Sequence, residues 1–273
     1  VTAVLLPGVP SECRYLAEHC LLPYLARLHG QVIRSHDLRI FGLTEPQVQE
    51  LLPDLLRRED DLTLAPYAGT GEVSLHLSAR AADEAACEAR MAPLLAEVRQ
   101  RLGGYLYGED ISGLEEAVFR LCRDRHLTLS AAESCTGGLI AKRLTDVPGA
   151  SQIFLGGVVS YTNEVKNHVL GVPASLLEAY GAVSAPVARA MAVGVRVLTG
   201  SDLALSVTGL AGPGGDDRGT PVGTVFTALS APEGVFVRRL TLGGSRERIR
   251  VLSAHHAFDL LRRYLTDQMT EGE

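Results

Sequence analysis

The sequence predicts an α/β protein in two parts: a small α+β domain with a split β-α-β arrangement, followed by a three-layer α/β/α domain with a mixed sheet. The chain has 273 residues and is 46% hydrophobic, which is enough to bury the cores of two domains. Short apolar segments alternate with segments of helical spacing, an order typical of layered α/β folds. The last two apolar segments are joined by the turn 232–234, which predicts a β-hairpin and hence a mixed sheet.

The first 30 residues form a segment of their own. An apolar stretch at 3–10 is followed by a helical pattern that runs through Leu25. A lone strand and helix cannot bury their own apolar faces. Because the chain also begins at Val1 without an initiator methionine, we expect residues 1–30 to be the C-terminal end of a further domain.

Residues 31–110 are predicted to form the small domain. Gly69-Thr70-Gly71 provides a hairpin turn between its two middle strands. An RNA-binding KH module needs a GxxG loop, but this turn is one residue short and is followed by the acidic Glu72, so we expect no direct binding of nucleic acid. The order of the elements is strand, helix, strand, strand, helix, strand, at 38–41, 46–56, 62–66, 73–79, 82–102 and 105–107.

Residues 111–273 are predicted to form the three-layer domain. Ser112 and Glu115 have the spacing of a capping box at the start of its first helix. A strand at 127–131 and a helix at 139–144 follow. Further helices are predicted at 163–170, 175–180, 186–198 and 246–265, and further strands at 154–160, 203–208, 222–229 and 235–240.

Charge and cysteine content narrow the classes of function. The formal net charge of −6 disfavours a nucleic-acid binder, since affinity for phosphate backbones comes mainly from clustered lysine and arginine. No apolar run is long enough to cross a bilayer and no targeting signal is visible, so we expect a cytoplasmic protein that acts on a small molecule. Adjacent His255 and His256 diverge on a helix, and no CxxC pair is present, so no metal site is expected. The free cysteines are Cys13, Cys20, Cys87, Cys122 and Cys135.

The segment 132–138 (AESCTGG) is the strongest candidate for a reaction centre. It places the hydroxyl of Ser134 between an apolar strand and the start of a helix, where backbone N–H groups have no partner within the helix. Gly137 and Gly138 allow a phosphate or a developing oxyanion to approach the backbone closely. A serine at this position is also a common N-cap, so the segment alone leaves both interpretations open.

A lysine near the start of the next helix is the candidate base. Thr162 or Asn163 can cap that helix, which places Lys166 within or just after its first turn. The positive end of the helix dipole favours a neutral amine, but a lysine with a reference pKa of about 10.4 also needs burial to be neutral near pH 7. A solvated surface lysine is the equal alternative. Tyr161 closes the preceding strand and either relays a proton or lies at the rim of the core.

Two glycine-rich segments complete the candidate site. The loop at 207–224 joins two apolar strands, and its backbone donors can surround a phosphate or a ribose, although a plain flexible hairpin is an equal alternative. At 243–250, Ser245 can cap the last helix, and Arg246 and Arg250 share one face of it. These arginines suit an anion or a subunit interface equally.

In this order, the segments resemble the CinA family (competence/damage-inducible protein A), in particular its C-terminal nicotinamide-nucleotide amidase domain. The resemblance covers about residues 112–265. Residues 5–25 (LLPGVPSECRYLAEHCLLPYL) resemble the closing segment of the family's molybdopterin-binding-like N-terminal domain, and the middle residues resemble its KH-like domain. The motifs are ESCTGGLIAKRLTDVPGAS at 133–151, FLGGVVSYTNEVKNHVLGV at 154–172, SVTGLAGPGG at 206–215, PVGTV at 221–225 and SRERIR at 245–250.

The resemblance implies hydrolysis of the carboxamide of nicotinamide mononucleotide to nicotinate mononucleotide and ammonia, in the recycling of pyridine nucleotides. It implies Ser134 as nucleophile, Lys166 as base and Tyr161 as an aid to proton transfer. The resemblance implies a homo-oligomer, and it implies no metal or cofactor. The substrate-binding residues it implies are the backbone at Cys135, Thr136, Gly137 and Gly138 for the oxyanion, Thr208, Gly209, Gly212 and Gly214 for ribose and phosphate, and Asn163, Arg246 and Arg250.

Two segments depart from the family's usual pattern. Ala185 stands where an acidic residue is common, and the loop at 215–220 differs. The ADP-ribose hydrolysis associated with the family's N-terminal domain is not carried over, because most of that domain lies outside this sequence. A non-catalytic protein that binds a nucleotide, or a partner in competence or the DNA-damage response, is the rival hypothesis.

Overall fold

The computed structural model describes residues 2–58 and 61–269. The first segment contains α1 (Pro10–Leu16), a π-helical turn (Ala17–Leu21) and α2 (Leu22–His29). No residue of α1 or of the π-helical turn is buried. The strand expected within residues 3–10 is absent: residues 2–9 have no regular secondary structure. Pro7 and Pro10 lack the backbone N–H donors that a sheet ladder needs.

The small domain is one antiparallel sheet of five strands with two helices. Its sheet has the order β2-β3-β4-β1-β5, and the predicted order of elements is confirmed, with the short β2 added. The elements are β1 (Val32–Phe41), α3 (Glu45–Leu51), β2 (Arg57–Arg58), β3 (Leu62–Ala68), β4 (Glu72–Ala81), α4 (Glu84–Leu102) and β5 (Leu106–Glu109).

Local signals set the boundaries of this domain. Thr44 and Gln47 form a capping box at the start of α3, and the Asp83 carboxylate accepts the Ala86 N–H at 2.8 Å at the start of α4. Helix α3 ends at Leu51 rather than at the predicted residue 56, because Pro53 disfavours helical backbone in the residue before it. Between β3 and β4, Gly71 has a φ of 84°, which the predicted hairpin turn requires.

The C-terminal part contains a mixed sheet of five strands in the order β10-β9-β8-β6-β7. Strand β6 pairs in parallel with β7 and β8, and β8, β9 and β10 are antiparallel. The elements are α5 (Leu114–Asp124), β6 (Leu129–Glu133), α6 (Leu139–Asp146), β7 (Phe154–Val159), α7 (Asn163–His168), α8 (Ala174–Tyr180), α9 (Ala185–Thr199), β8 (Leu203–Gly209), β9 (Thr224–Ala231), β10 (Gly234–Thr241) and α10 (Arg246–Leu265).

Helices cover both faces of this sheet, which confirms the three-layer fold. Leu129 and Ala131 of β6 pack with buried residues of α5, α6 and α10. The neighbouring Ala132 points to the opposite face and packs with residues of α8 and α9. Since side chains alternate along a strand, this central strand is buried on both sides. In the parallel part, the carboxyl ends of β6, β7 and β8 meet at one edge.

The start of α5 corrects one prediction. The expected capping box of Ser112 with Glu115 does not form. Instead, the Glu116 carboxylate accepts the N–H and the hydroxyl of Ser112, each at 2.8 Å. Gly113 is the N-cap residue, so Glu116 occupies the third helical position and reaches back. Glu115 instead pairs with Arg143.

Helix α10 joins the two parts of the molecule. The ring of Phe41 in the small domain lies edge-on to His255 and His256, with centroids 5.9 and 5.1 Å away. Farther along the helix, the Arg262 guanidinium donates to the Gly104 carbonyl oxygen at 3.1 Å. Within the described residues, no helix has the length and apolar character needed to span a membrane, and no cluster of three metal-ligating side chains occurs.

Candidate active site

Ser134 lies immediately after β6, at the edge where the parallel strands end. Its N–H donates to the Val207 carbonyl oxygen of β8 at 2.9 Å, and its carbonyl oxygen accepts the Gly137 N–H at 3.0 Å. Gly137 and Gly138 have φ angles of 61° and 94°, a region that glycine occupies at little cost. The turn therefore holds the Ser134 hydroxyl at a fixed place between β6 and α6.

The structure brings Lys166 to Ser134. Thr162 caps α7, and its hydroxyl oxygen accepts the Val165 N–H at 3.4 Å, so Lys166 lies just after the first turn of this short helix. Its amine nitrogen is 3.1 Å from the Ser134 hydroxyl oxygen and 2.7 Å from the Ser160 carbonyl oxygen. Only 1% of Lys166 is exposed. The alternative of a solvated surface lysine is therefore wrong.

Burial makes the Lys166 amine less basic. It lowers the pKa of Lys166 from 10.5 to about 8, because an ammonium ion loses its hydration there. The nearby Cys135 acts in the opposite direction but is the smaller cause, and burial raises the pKa of its own thiol to about 11. Across residues 2–58 and 61–269, no carboxylate forms an ion pair with Lys166. A neutral amine beside a hydroxyl can accept its proton.

Tyr161 and Arg246 form one wall of the site. The Arg246 guanidinium donates to the Tyr161 hydroxyl oxygen at 3.0 Å and to the Gly212 carbonyl oxygen at 2.5 Å. Arg246 therefore ties the end of β7 to the glycine-rich loop. Tyr161 is 59% exposed, and its hydroxyl contacts Arg246 rather than Ser134 or Lys166.

These side chains surround a cleft of about 210 Å³. Nine of the predicted site residues line it, together with four residues that the sequence did not single out. The predicted residues are Ser134, Cys135, Tyr161, Lys166, Thr208, Gly209, Gly212, Gly214 and Arg246, and the others are Ala182, Val183, Leu210 and Ala211. Thr136, Gly137, Gly138, Asn163 and Arg250 do not line the cleft.

Arg250 supports the Ser134 turn from behind. Its guanidinium donates to the Cys135 carbonyl oxygen at 3.2 Å and to the Thr136 carbonyl oxygen at 2.7 Å. The expectation that Arg250 contacts a substrate is therefore corrected: the guanidinium satisfies two carbonyl groups of the turn. Thr208 also has an internal partner, since its hydroxyl donates to the Ala182 carbonyl oxygen at 2.8 Å.

Glu133 is the residue that the sequence reasoning missed. It is 1% exposed, and its carboxylate accepts the backbone N–H groups of Gly138, Ile140 and Ala141 at 3.0, 3.1 and 2.9 Å. With the Gly137 N–H donated to Ser134, the N–H groups of Gly137 and Gly138 are not available to an oxyanion. The signal was an acidic residue in an apolar strand directly before a helix start, because a buried carboxylate requires donors.

A serine and a buried lysine meet at the carboxyl ends of parallel strands in a three-layer α/β fold, which places the protein among α/β proteins with a candidate serine nucleophile at the strand ends. The chain belongs to the CinA family. Residues 111–265 match the CinA C-terminal domain, and residues 35–108 match the KH domain of damage-inducible protein CinA. The family expected from the sequence motifs is thereby confirmed.

Individual relatives agree with this assignment. A relative from Caldanaerobacter subterraneus subsp. tengcongensis, provisionally named a competence-damage inducible protein, is 47% identical over 262 residues, 96% of this chain and 63% of the relative. A CinA-like protein from Desulfovibrio desulfuricans is 45% identical over 98% of this chain and 64% of its own. The chain thus spans somewhat less than two thirds of the length of these curated relatives.

Solved structures of the superfamily match somewhat more than half of the chain. The competence damage-inducible protein A from Klebsiella pneumoniae subsp. pneumoniae is 33% identical with a TM-score of 0.56, over 57% of this chain and 97% of that one. The competence/damage inducible protein CihA from Agrobacterium tumefaciens is 38% identical with a TM-score of 0.54, over 56% of this chain and 93% of that one.

Proposed function

We propose that the protein is a serine amidohydrolase that converts nicotinamide mononucleotide to nicotinate mononucleotide and ammonia, and so serves the recycling of pyridine nucleotides. The observation that carries this proposal is the Lys166 amine, buried and 3.1 Å from the Ser134 hydroxyl oxygen. Its lowered pKa gives a neutral fraction near neutral pH, as a general base requires. Membership of the CinA family supports the same class of reaction.

In the first half of the proposed reaction, neutral Lys166 takes the proton of the Ser134 hydroxyl. The Ser134 oxygen attacks the carboxamide carbon, and the carbonyl electron pair moves to the oxygen to form an oxyanion. The Lys166 ammonium then gives its proton to the amide nitrogen. The carbon–nitrogen bond breaks, ammonia leaves, and the nicotinoyl group remains as an ester on Ser134.

In the second half, water takes the place of ammonia. Lys166 accepts a proton from the water, and the resulting hydroxide attacks the ester carbon. The bond to the Ser134 oxygen breaks, Lys166 returns the proton to that oxygen, and the carboxylic acid departs. Each half begins and ends with a neutral amine, so one lysine serves both.

The N–H of Cys135 is the donor best placed for the oxyanion. Cys135 lines the cleft and directly follows the nucleophile, and its N–H makes no hydrogen bond to another residue within the described part of the chain. A backbone donor after the nucleophile is a recurring arrangement in acyl transfer. Arg246 and the loop at 210–214 form the remaining wall, which we assign to the ribose and the phosphate.

The test is ammonia release from nicotinamide mononucleotide by the purified protein, with nicotinamide riboside and free nicotinamide measured alongside. Activity on the mononucleotide alone is expected if the phosphate is recognised. Ser134→Ala should abolish release and leave the fold intact. Ser130→Ala is the control, because Ser130 is a buried serine of β6, the strand before Ser134, and its hydroxyl pairs with Ser201 away from the cleft.

Two outcomes contradict the proposal. Retained turnover by Ser134→Ala rules out the assigned nucleophile. A folded wild-type protein that binds the mononucleotide but releases no ammonia from any of the three compounds supports the rival function, a non-catalytic nucleotide-binding protein. Calorimetric titration with the mononucleotide separates this second outcome from a protein that does not bind at all.

A further inference from the structure

Glu133 is a buried acid that the proposed reaction does not use. Burying a carboxylate is unfavourable unless its oxygens are satisfied. Here both oxygens accept backbone N–H groups at the start of α6, from Gly138, Ile140 and Ala141 at 3.0, 3.1 and 2.9 Å. The side chain thus spans the turn that carries Ser134 and joins the end of β6 to the start of α6.

The main chain of Glu133 is connected to the base. Its carbonyl oxygen accepts the Ser160 N–H at 2.7 Å and the Ser160 hydroxyl at 3.3 Å. The carbonyl oxygen of Ser160 accepts the Lys166 amine at 2.7 Å. One residue therefore fixes the turn of the nucleophile through its side chain and the anchor of the base through its backbone.

We propose that Glu133 is the positioning residue of the site, holding the Ser134 hydroxyl at the distance and angle from Lys166 that proton transfer requires. This inference rests on the proposed Ser134 and Lys166 chemistry. Glu133 itself does not line the cleft, and its oxygens face the backbone of α6. It therefore acts through Ser134 and exchanges no proton with a substrate.

The same contacts assign a second role to the carboxylate. The N-terminus of a helix carries partial positive charge and attracts anions. Because Glu133 already occupies the N-terminus of α6, neither the oxyanion nor a substrate phosphate binds there. Those groups are left to the Cys135 N–H and to the opposite wall of the cleft.

The decisive variant is Glu133→Gln, which keeps the shape of the side chain but replaces one acceptor oxygen by an NH₂ group. At least one N–H of α6 then loses its partner and the turn shifts. We expect kcat to fall about 100-fold, as for a displacement of a reacting group by about 1 Å, with KM changed by less than about threefold. The pH at which activity falls to half on the acidic side should not move, because the burial that lowers the pKa of Lys166 is unchanged.

Asp202→Asn is the matched control. The Asp202 carboxylate accepts the N–H and the hydroxyl of Thr128 at 2.8 and 2.6 Å, just before the opposite end of β6. This variant removes a comparable carboxylate cap on the same strand but leaves the cleft untouched. We expect it to change stability and to leave kcat within about twofold of the wild type, since effects far from the reacting atoms are small.

A second measurement separates this inference from the identity of the substrate. The rate at which a fluorophosphonate labels Ser134 reports the nucleophile without any nucleotide. If the wild type is labelled but does not hydrolyse nicotinamide mononucleotide, the proposed substrate is wrong, and a slower labelling rate in Glu133→Gln still supports positioning. Equal labelling rates and equal kcat in a folded Glu133→Gln protein overturn the inference.

Glu133→Asp covers the case in which Glu133→Gln does not fold. It keeps the charge and withdraws the carboxylate by one methylene, so we expect an intermediate loss of kcat with an unchanged KM. If neither variant folds, Glu133 is a residue of general stability and the inference is overturned.

Discussion

The carbonyl oxygen of Leu170 lies directly against the backbone of Gly194, so closely that a Cβ atom on this glycine would stand 1.9 Å from it. Gly194 belongs to α9, and Leu170 follows α7, the helix that carries Lys166. The segment after Leu170 is hydrogen-bonded to the backbone of Lys166, since the Val172 N–H donates to the Lys166 carbonyl oxygen at 3.1 Å. The packing of α9 thus determines where the lysine helix lies.

Gly194→Ala should destabilise the protein and reduce its activity together. A contact of this kind with backbone cannot be relieved by a change of rotamer, so we expect a loss of about 2 kcal/mol or more in the free energy of unfolding. The measurement is denaturant unfolding together with kcat. Gly243→Ala is the control, because nothing lies within 4 Å of a Cβ atom there. Equal unfolding midpoints for the two variants would show that the helices move apart freely.

The activity should depend on pH through Lys166. With the pKa of Lys166 at about 8, the neutral amine falls about tenfold for each pH unit below that value, and kcat/KM should fall with it. Lys166→Met should remove the acid limb and lower kcat about 1,000-fold, within the usual range for a lost proton-transfer group. A pH–rate profile between 5.5 and 9.5 measures this. A flat profile in the wild type would mean that another group is the base.

Arg246 should affect substrate binding more than chemistry. Its guanidinium makes two hydrogen bonds across the cleft, to Tyr161 and to Gly212, and a lysine ammonium cannot reproduce that planar pair. We expect Arg246→Lys to raise KM about tenfold with a smaller change in kcat, because the wall loses its shape while Ser134 and Lys166 stay in contact. Tyr161→Phe leaves the hydrogen bond from Arg246 to Gly212 in place, so it should raise KM less than Arg246→Lys does. A larger effect on kcat than on KM would place Arg246 in the chemical step.

The interface with the small domain should weaken in acid. Burial lowers the pKa of His255 to about 3 and of His256 to about 4. The charge of Arg143 lowers the pKa of His255 further. Arg238 and Arg263 lower the pKa of His256, and Asp259 raises it. The unfolded chain binds protons at both histidines near pH 6.5 and the folded protein does not, so stability is lost as the pH falls. The expected loss is about 1.4 kcal/mol per pH unit for each histidine.

Unfolding titrations between pH 6 and 5 give the cleanest measurement of this effect. In that range His36, whose raised pKa gives the opposite sign, is already largely protonated in both states. His256→Gln should halve the slope of stability against pH. An unchanged slope would assign the acid sensitivity to other groups.

Much of the framework follows from local sequence. Helix α10 has the predicted bounds, because Ser245 caps it, accepting the Arg248 N–H at 3.2 Å, and its apolar spacing runs to Leu265. The Ser134 turn can be predicted equally well, since a strand followed by a serine and two glycines allows few other backbone conformations. The strand expected within residues 3–10 was wrong because an apolar stretch forms a strand only where a sheet edge is available to pair with it.

The remaining features depend on contacts between distant residues. The pairing of β6 with β7 brings Lys166 to Ser134 across 32 positions of sequence, and only that pairing decides whether the lysine is buried or solvated. The sequence does not predict that Arg250 binds the Ser134 turn, because an arginine on a helix face does not reveal its partner. Glu133 carries a signal as an acid in an apolar strand, but the sequence does not show which backbone N–H groups its carboxylate will meet.

Under the proposed function, the reacting pair and the substrate-binding wall lie on separate parts of the chain. The reacting pair is held by β6, α6 and α7, with Glu133 closing the helix end from within the protein. The opposite wall, from 210 to 214 and Arg246, makes no hydrogen bond to Ser134 or Lys166 among the described contacts. Under the proposed function, sequence changes in that wall therefore alter which compound is selected while Ser134 and Lys166 stay in contact.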